Sequence, residues 1–130
     1  MPVTNFQNIT HELDLEERRL VSILIDGFKS HTKSNPIKAP EIIKILNSKK
    51  SEFGLKKNLS QVRLRKLVNY IRSNALHPVI ATSEGYYTSF NEFEIKSQIL
   101  SMQERANSIR NAANGLEKML NTLKEKSLTI

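Results

Sequence analysis

The chain has 130 residues, a formal net charge of +7 at pH 7 and no cysteine. Its length suits one domain with an ordinary hydrophobic core, and the lack of cysteine excludes disulfides, thiolate chemistry and cysteine-ligated metal sites. No segment approaches the roughly 20 apolar residues that span a bilayer, and the amino terminus shows neither the basic nor the apolar region of a secretory signal. We therefore expect a cytoplasmic protein with no membrane partner.

The positive charge is concentrated in the middle of the chain. Residues 29–72 carry twelve basic and two acidic side chains, whereas residues 1–28 carry two basic and five acidic ones. A localised basic zone is typical of proteins that bind polyanions. The alternative is a lysine-rich surface that only keeps the protein in solution.

The first helix is predicted to follow a flexible amino terminus of residues 1–12. Asp14 is suited to cap this helix, and Glu17, three residues later, completes the pattern of a capping box. The apolar residues that follow cover more than half of the helix circumference. We expect the helix to be covered on two sides and to end near residues 29–31.

A second helix is predicted to start at Pro40, since proline in a first helical turn loses no hydrogen bond. Ile37 is expected to pair as a very short strand with a later hairpin. A polar, lysine-rich connection over residues 47–57 separates this helix from the next one.

The third helix has two possible caps, Asn58 and Ser60, and Ser60 is our preferred one. Leu64, Leu67, Val68 and Ile71 follow the i, i+3, i+4, i+7 spacing of one buried helical stripe. The polar and cationic side chains lie off this stripe.

Two short strands are predicted between residues 76 and 88, around a turn of Ser83, Glu84 and Gly85. Because successive strand residues alternate between faces, one of Tyr86 and Tyr87 should pack inward and the other outward.

Residues 91–124 are predicted to form a long last helix, and residues 125–130 a frayed tail. Its apolar residues alternate spacings of four and three over four heptads, the pattern of a helix packed lengthwise against another helix. These positions, which we call the apolar seam, are Ile95, Ile99, Met102, Ala106, Ile109, Ala113, Leu116, Leu120 and Leu123. The partner helix belongs to a second copy of the chain, to another protein or to the first helix, and a homodimer is our leading expectation.

Together these elements predict a mainly α fold with a small β-hairpin. Residues 13–90 have the layout of a winged helix-turn-helix domain, and the coiled-coil-like carboxy-terminal helix follows it. Such a layout, with a basic third helix, makes double-stranded DNA the first partner to consider.

The candidate DNA-binding residues lie on the third helix and in the connection before it. Reading residues sit near the amino end of a recognition helix, and arginine can donate two hydrogen bonds to guanine. The base-edge candidates are Gln61, Val62, Arg63 and Lys66, and Ser60 is a candidate phosphate contact. The candidates for backbone contact or solvent exposure are Arg65, Asn69 and Arg72, and those for sequence-independent attraction are Lys49, Lys50, Lys56 and Lys57. The predicted hairpin is the wing of this layout, and Glu84 lies at its tip. A carboxylate there would repel phosphate, which favours a structural role for the wing over DNA contact.

No enzymatic role, cofactor or metal is expected. His11, His31 and His77 stand alone, without a second ligand three or four residues away, and the four glycines are too scattered for a phosphate-binding loop. Glu92 and Glu94 diverge on a helix, and acids in a first turn are explained by the helix dipole.

The segment from Leu59 to Arg72, followed by Pro78-Val79-Ile80 and Gly85-Tyr86-Tyr87, resembles the winged helix-turn-helix domain of many phage and prophage proteins. It is also similar to the amino-terminal domain of biotin-operon repressors. The resemblance covers residues 37–88 and implies DNA binding in transcription or replication control. The chain departs from this family in its long connection between the second and third helices. It also has Thr88 where leucine is common, from which we expect a weaker anchor for the wing.

Two functions follow as expectations. The first is a homodimeric DNA-binding regulator whose last helix pairs two winged-helix modules. The second is a protein–protein adaptor that uses the winged helix as a docking module and the seam to bind another chain.

Overall fold

The computed structural model describes residues 13–128, so the expectation of a flexible segment over residues 1–12 lies outside the described residues. It confirms the mainly helical fold with one antiparallel hairpin and a long carboxy-terminal helix. The elements are α1 (Leu15–Phe28), α2 (Ala39–Ser48), α3 (Gln61–Ser73), β1 (Val79–Thr82), β2 (Gly85–Thr88) and α4 (Glu92–Leu128). The chain forms two units, divided between Asn91 and Glu92.

The predicted capping box starts α1. Asp14 Oδ1 accepts a hydrogen bond from the backbone N–H of Glu17 at 2.8 Å, and Glu17 Oε1 accepts one from the backbone N–H of Asp14 at 3.0 Å. These bonds satisfy two of the donors that a helix start leaves unpaired.

The starts of α2 and α3 also agree with the sequence prediction. Proline occupies the first turn of α2, and Ser60 Oγ caps α3 by accepting a hydrogen bond from the Arg63 backbone N–H at 3.2 Å. Between these helices, Asn47 Oδ1 accepts a bond from the Leu59 backbone N–H at 2.7 Å, and its amide donates to the Leu59 carbonyl at 3.4 Å. Since Leu55 and Leu59 are also buried, the long connection is held at its end.

The hairpin pairs Val79 with Thr88 and Thr82 with Gly85 at its two ends. Ile37 joins it as predicted, through two backbone hydrogen bonds to Tyr86 of 2.9 and 2.8 Å.

The two hairpin tyrosines differ in burial. Tyr87 is buried, whereas Tyr86 is half-buried, with its ring centroid 5.8 Å from that of Phe28. Tyr86 therefore does not face fully outward, because it covers the end of α1.

The wing is anchored by Thr88, contrary to our expectation. Its hydroxyl donates a hydrogen bond to the Phe28 carbonyl at 2.6 Å and lies 2.8 Å from His77 Nε2. Burial, with a smaller contribution from Lys29, lowers the pKa of His77, and the neutral ring can donate to Thr88. The Thr88 hydroxyl thus anchors the hairpin by hydrogen bonds, where a leucine would anchor it by apolar packing.

The core of the first unit surrounds α3, which packs against α1, α2 and β1. Leu20, Leu64, Leu67 and Ile71 are completely buried, and Phe28 nearly so. The predicted apolar stripe of α3 is therefore its buried side.

The second unit consists of α4, which continues through Leu128 rather than ending at residue 124. Its 37 residues correspond to a length of about 55 Å. Most of the seam is exposed, including Ile109, Leu116 and Leu123. Among the described residues, no helix combines the length and apolar character that crossing a bilayer requires.

We expect Gly85→Ala to lower the free energy of unfolding by about 1–3 kcal/mol. Gly85 has a φ of +127°, and a Cβ there would lie 2.5 Å from the carbonyl oxygen of Ile37. The bridge that ties Ile37 to the hairpin would have to shift. Urea unfolding followed by circular dichroism measures the loss.

Gly27→Ala is the matched control, because a Cβ at this helical position meets nothing within 4 Å. It should leave stability unchanged or raise it by up to about 1 kcal/mol. Equal unfolding midpoints for Gly85→Ala and the wild type would show that the close approach is not a constraint.

Candidate nucleic-acid interface

The cationic side chains of α3 lie on different sides of the helix. Arg63 and Arg65 are separated by about 200° around the axis, since each residue turns the helix by about 100°. Arg63 is directed toward the start of α1, whereas Arg65 is exposed. The helix therefore has one side committed to internal ion pairs and another that is open.

The internal side of α3 meets three carboxylates, those of Asp14, Glu16 and Glu17, which we call the acidic cluster. Arg63 Nε lies 3.3 Å from Glu17 Oε2, and its Nη2 lies 3.4 Å from Glu16 Oε2 and 3.5 Å from Asp14 Oδ2. Lys66 Nζ lies 2.9 Å from Glu17 Oε1. Two cations thus face three acids, which gives this group a formal net charge of −1.

Glu17 is the buried member of this cluster, with only 3% of its side chain exposed. Burial alone would raise its pKa, but hydrogen bonds from the Asp14 backbone N–H, Lys66 and Arg63 outweigh burial and hold the pKa below its ordinary value of 4.5. The carboxylate is therefore stabilised in its charged form, and its removal would leave Lys66 and Arg63 without their closest partner.

Two of the four predicted base-edge candidates, Arg63 and Lys66, are placed in these ion pairs. Each side chain is only 23% exposed, and each is engaged with α1. The sequence carried a signal for this arrangement, because the net acidic segment that holds Asp14, Glu16 and Glu17 precedes the basic zone. A capping role for Asp14 and Glu17 accounts for the start of α1 but not for these ion pairs to α3.

The other side of α3, which we call the open face, carries Gln61, Val62, Arg65 and Asn69. Val62 is 66% exposed, Gln61 and Arg65 are exposed, and Asn69 is half-buried. In the described part of the chain, no carboxylate lies within ion-pair distance of Arg65. The open face thus combines an amide, a methyl-bearing side chain and an unneutralised guanidinium near the helix start.

Arg72, a predicted backbone contact, is also used within the fold. Its Nε donates a hydrogen bond to the carbonyl oxygen of Val79 at 3.0 Å, and its side chain is half-buried. It joins the end of α3 to the first strand of the wing.

The lysines of the connection have different surroundings. The Lys56 backbone N–H donates to Glu16 Oε1 at 2.8 Å, the main cause of the lowered pKa of Glu16. Lys56 and Lys57 line a cleft of about 670 Å³ together with Arg19 and two acids, Asp14 and Glu16. Their positive field is partly offset by these acids.

The remaining two lysines are located elsewhere. Lys50 Nζ lies 3.4 Å from the side-chain oxygen of Asn58. Lys49 is exposed at the edge of an apolar cavity of about 250 Å³ between α1 and α2. The four lysines therefore do not form one patch.

The wing tip carries an exposed carboxylate. Glu84 is exposed, and its backbone N–H donates to Thr82 Oγ1 at 3.2 Å within the turn. Lys38 lies near this turn, since it lines a shallow pocket together with Ser83.

Within residues 13–128 no group of three or more histidine, cysteine or acidic side chains is arranged to hold a metal ion. His31 Nδ1 lies 2.9 Å from the Asn35 carbonyl, and His77 pairs with Thr88. His11 lies outside the described residues.

Comparison with protein-family models, curated proteins and solved structures gave no match.

We expect Glu17→Gln to reduce the free energy of unfolding by about 1–3 kcal/mol at pH 7. This is less than the roughly 3–5 kcal/mol for breaking a fully buried ion pair, because Arg63 and Lys66 are partly solvated. The wild-type contribution is complete above pH 4.5, the ordinary carboxyl pKa. It is lost as pH falls through the lower folded-state pKa. Denaturant unfolding between pH 7 and pH 2 measures both quantities.

Glu52→Gln is the control, since Glu52 is exposed and makes no ion pair in the described chain. It should retain the wild-type acid dependence, whereas Glu17→Gln should flatten it. Identical acid profiles for Glu17→Gln and the wild type would mean that the buried carboxylate does not contribute through its charge.

Proposed function

We propose that residues 13–91 bind double-stranded DNA as a winged helix-turn-helix module, and that the chain acts as a homodimeric regulator of transcription or replication. The observation that carries this proposal is the open face of α3. On this face Arg65 is exposed and, among the described residues, has no carboxylate within ion-pair distance. Gln61 and Asn69 lie on the same side of the helix.

The chemistry of the open face suits the major groove. Arginine can donate two hydrogen bonds to guanine, Gln and Asn pair with adenine, and aliphatic methyl groups contact the thymine methyl. Gln61, Val62 and Arg65 lie in the first turns of α3, where recognition helices contact bases. Ser60 remains a candidate phosphate contact beside the partially positive helix start.

The proposal assigns different roles to the two arginines. Arg65 becomes the leading base-edge candidate, while Arg63 and Lys66 orient α3 on α1 through the acidic cluster. The scattered lysines Lys49 and Lys57 contribute sequence-independent attraction to phosphate. For a regulator of the phage and prophage type, we propose a cytoplasmic location.

We expect Arg65→Ala to weaken duplex binding by about 1–3 kcal/mol and to relax sequence preference at one base pair. If Arg65 contacts phosphate instead, affinity should fall uniformly across sequences and the salt slope should decrease by about one. The measurement is fluorescence anisotropy on duplexes selected from a random pool, over a range of salt concentrations.

Lys118→Ala is the control for Arg65→Ala, because it removes one positive charge from the outer side of α4, away from the seam. It should bind like the wild type. No affinity of the wild type for any duplex at low salt would refute DNA binding and would leave the adaptor function.

Arg63→Met should mainly affect stability. We expect its free energy of unfolding to fall by about 1–3 kcal/mol, because Glu17 stays buried with one fewer cation. At a temperature where the variant is folded, its base preference should remain that of the wild type. A changed base preference in the same binding-site selection would instead indicate that Arg63 contacts a base.

A further inference from the structure

The apolar seam of α4 is a long, uncovered surface. Ile109 and Leu116 are 71% and 72% exposed, and Leu120 and Leu123 are 51% and 58% exposed. Their spacing places them on one side of a helix that forms a unit by itself. Burial of this stripe requires another helix.

We propose that two copies of α4 pair in the antiparallel direction, with the two-fold axis between residues 107 and 108. In this register each residue n lies opposite residue 215 − n of the second copy. The inference rests on the homodimer of the proposed function and deepens it by fixing the orientation and register of that dimer.

The pattern of small and large seam residues supports this direction. In a parallel, in-register pair every seam residue lies opposite the same residue of the second copy. Ala106 then faces Ala106 and Ala113 faces Ala113, so two layers of the interface contain only alanine and are poorly filled. In the proposed register Ala106 faces Ile109 and Ala113 faces Met102. Each alanine then meets a large side chain, which fills the layer as interior packing requires.

The charged residues beside the seam also disfavour the parallel pair. In a heptad with Ile99, Ala106 and Ala113 at positions a, the flanking g and e positions include Arg105 and Arg110. A parallel dimer brings Arg105 of one copy next to Arg110 of the other, five residues further on, and does so twice. Flanking charges of this kind set helix orientation.

In an antiparallel pair the e positions of one helix lie beside the e positions of the other. The charges at these e positions distinguish one antiparallel register from another. In the proposed register Lys96 lies beside Glu117 of the second copy, twice in the dimer, and no like charges meet. Lys96 Nζ lies 2.9 Å from the Glu92 carboxylate, an exposed pair of the kind that contributes little to stability and leaves the ammonium able to bridge.

The neighbouring register, in which residue n lies opposite residue 222 − n, is less favourable. In this register too, each alanine of the seam lies opposite a large residue. However, Lys96 then lies beside Lys124 of the second copy, and Arg110 lies beside its own counterpart. Charge therefore distinguishes two registers that packing alone does not.

The proposed pairing has a geometric consequence. Residue 92 lies opposite residue 123, so the two α4 starts are separated by 31 residues of helix, about 46 Å. A parallel dimer would instead hold both starts at the same end.

Cysteine cross-linking tests the proposal directly, because the chain has no cysteine of its own. Ile99→Cys with one affinity tag is mixed with Leu116→Cys carrying another, and the mixture is equilibrated in a glutathione redox buffer. We expect the mixed disulfide between positions 99 and 116. Ile99→Cys alone should form none, because its two sulfurs would be about 25 Å apart.

Three results would overturn the proposal. A disulfide dimer of Ile99→Cys alone would establish the parallel direction, and preferential cross-linking of Ile99→Cys to Leu123→Cys would establish the other register. A wild-type chain that sediments as a monomer at all concentrations would refute the dimer.

A charge exchange provides an independent measurement. Lys96→Glu should weaken dimerisation by about tenfold in sedimentation equilibrium, and Lys96→Glu combined with Glu117→Lys should restore it. No restoration would contradict the register. These outcomes do not depend on DNA, so a protein that cross-links as proposed but binds no duplex would separate the dimer from the DNA-binding function.

Discussion

The buried carboxylate of Glu17 is the constraint on which the first unit depends. It accepts the backbone N–H of Asp14 and so completes the start of α1, while its two oxygens also lie against Lys66 and Arg63 of α3. A carboxylate with 3% exposure is stable only where such partners replace water. One side chain therefore fixes both where α1 begins and how α3 is rotated against it.

That rotation decides which part of α3 reaches the outside. With Arg63 and Lys66 held against α1, the helix turns Gln61, Val62 and Arg65 toward solvent. The local balance of charge changes as well, because the acidic cluster neutralises the cations it holds. The basic zone of the sequence is thus smaller on the molecular surface than along the chain, and its most accessible position on α3 is Arg65.

Local signals predicted the elements well. The Asp14–Glu17 spacing, the Ser60 cap, the pairing of Ile37 and the apolar stripe of α3 each depend on residues close in sequence. The direction of Arg63 does not, because its partners lie 46 to 49 residues away. Periodicity shows which residues of a helix are buried, but a residue beside the stripe can face a neighbouring helix or solvent, and only the tertiary packing decides. Thr88 is a similar case, since its value to the wing depends on the carbonyl of Phe28, 60 residues away.

The second unit differs from the first, because most of its regularly spaced apolar residues are exposed rather than buried. Asn107, Asn111, Asn114 and Gly115 lower the intrinsic helix propensity of α4, and most of the seam is exposed. An isolated helix of this kind gains little from burial, so in the proposed dimer the stability of α4 would be coupled to association and hence to protein concentration. Association would in turn join two open faces of α3 in one molecule. Binding of the second face would then be intramolecular, and modest contacts by each open face would suffice for a tight complex where both engage one duplex.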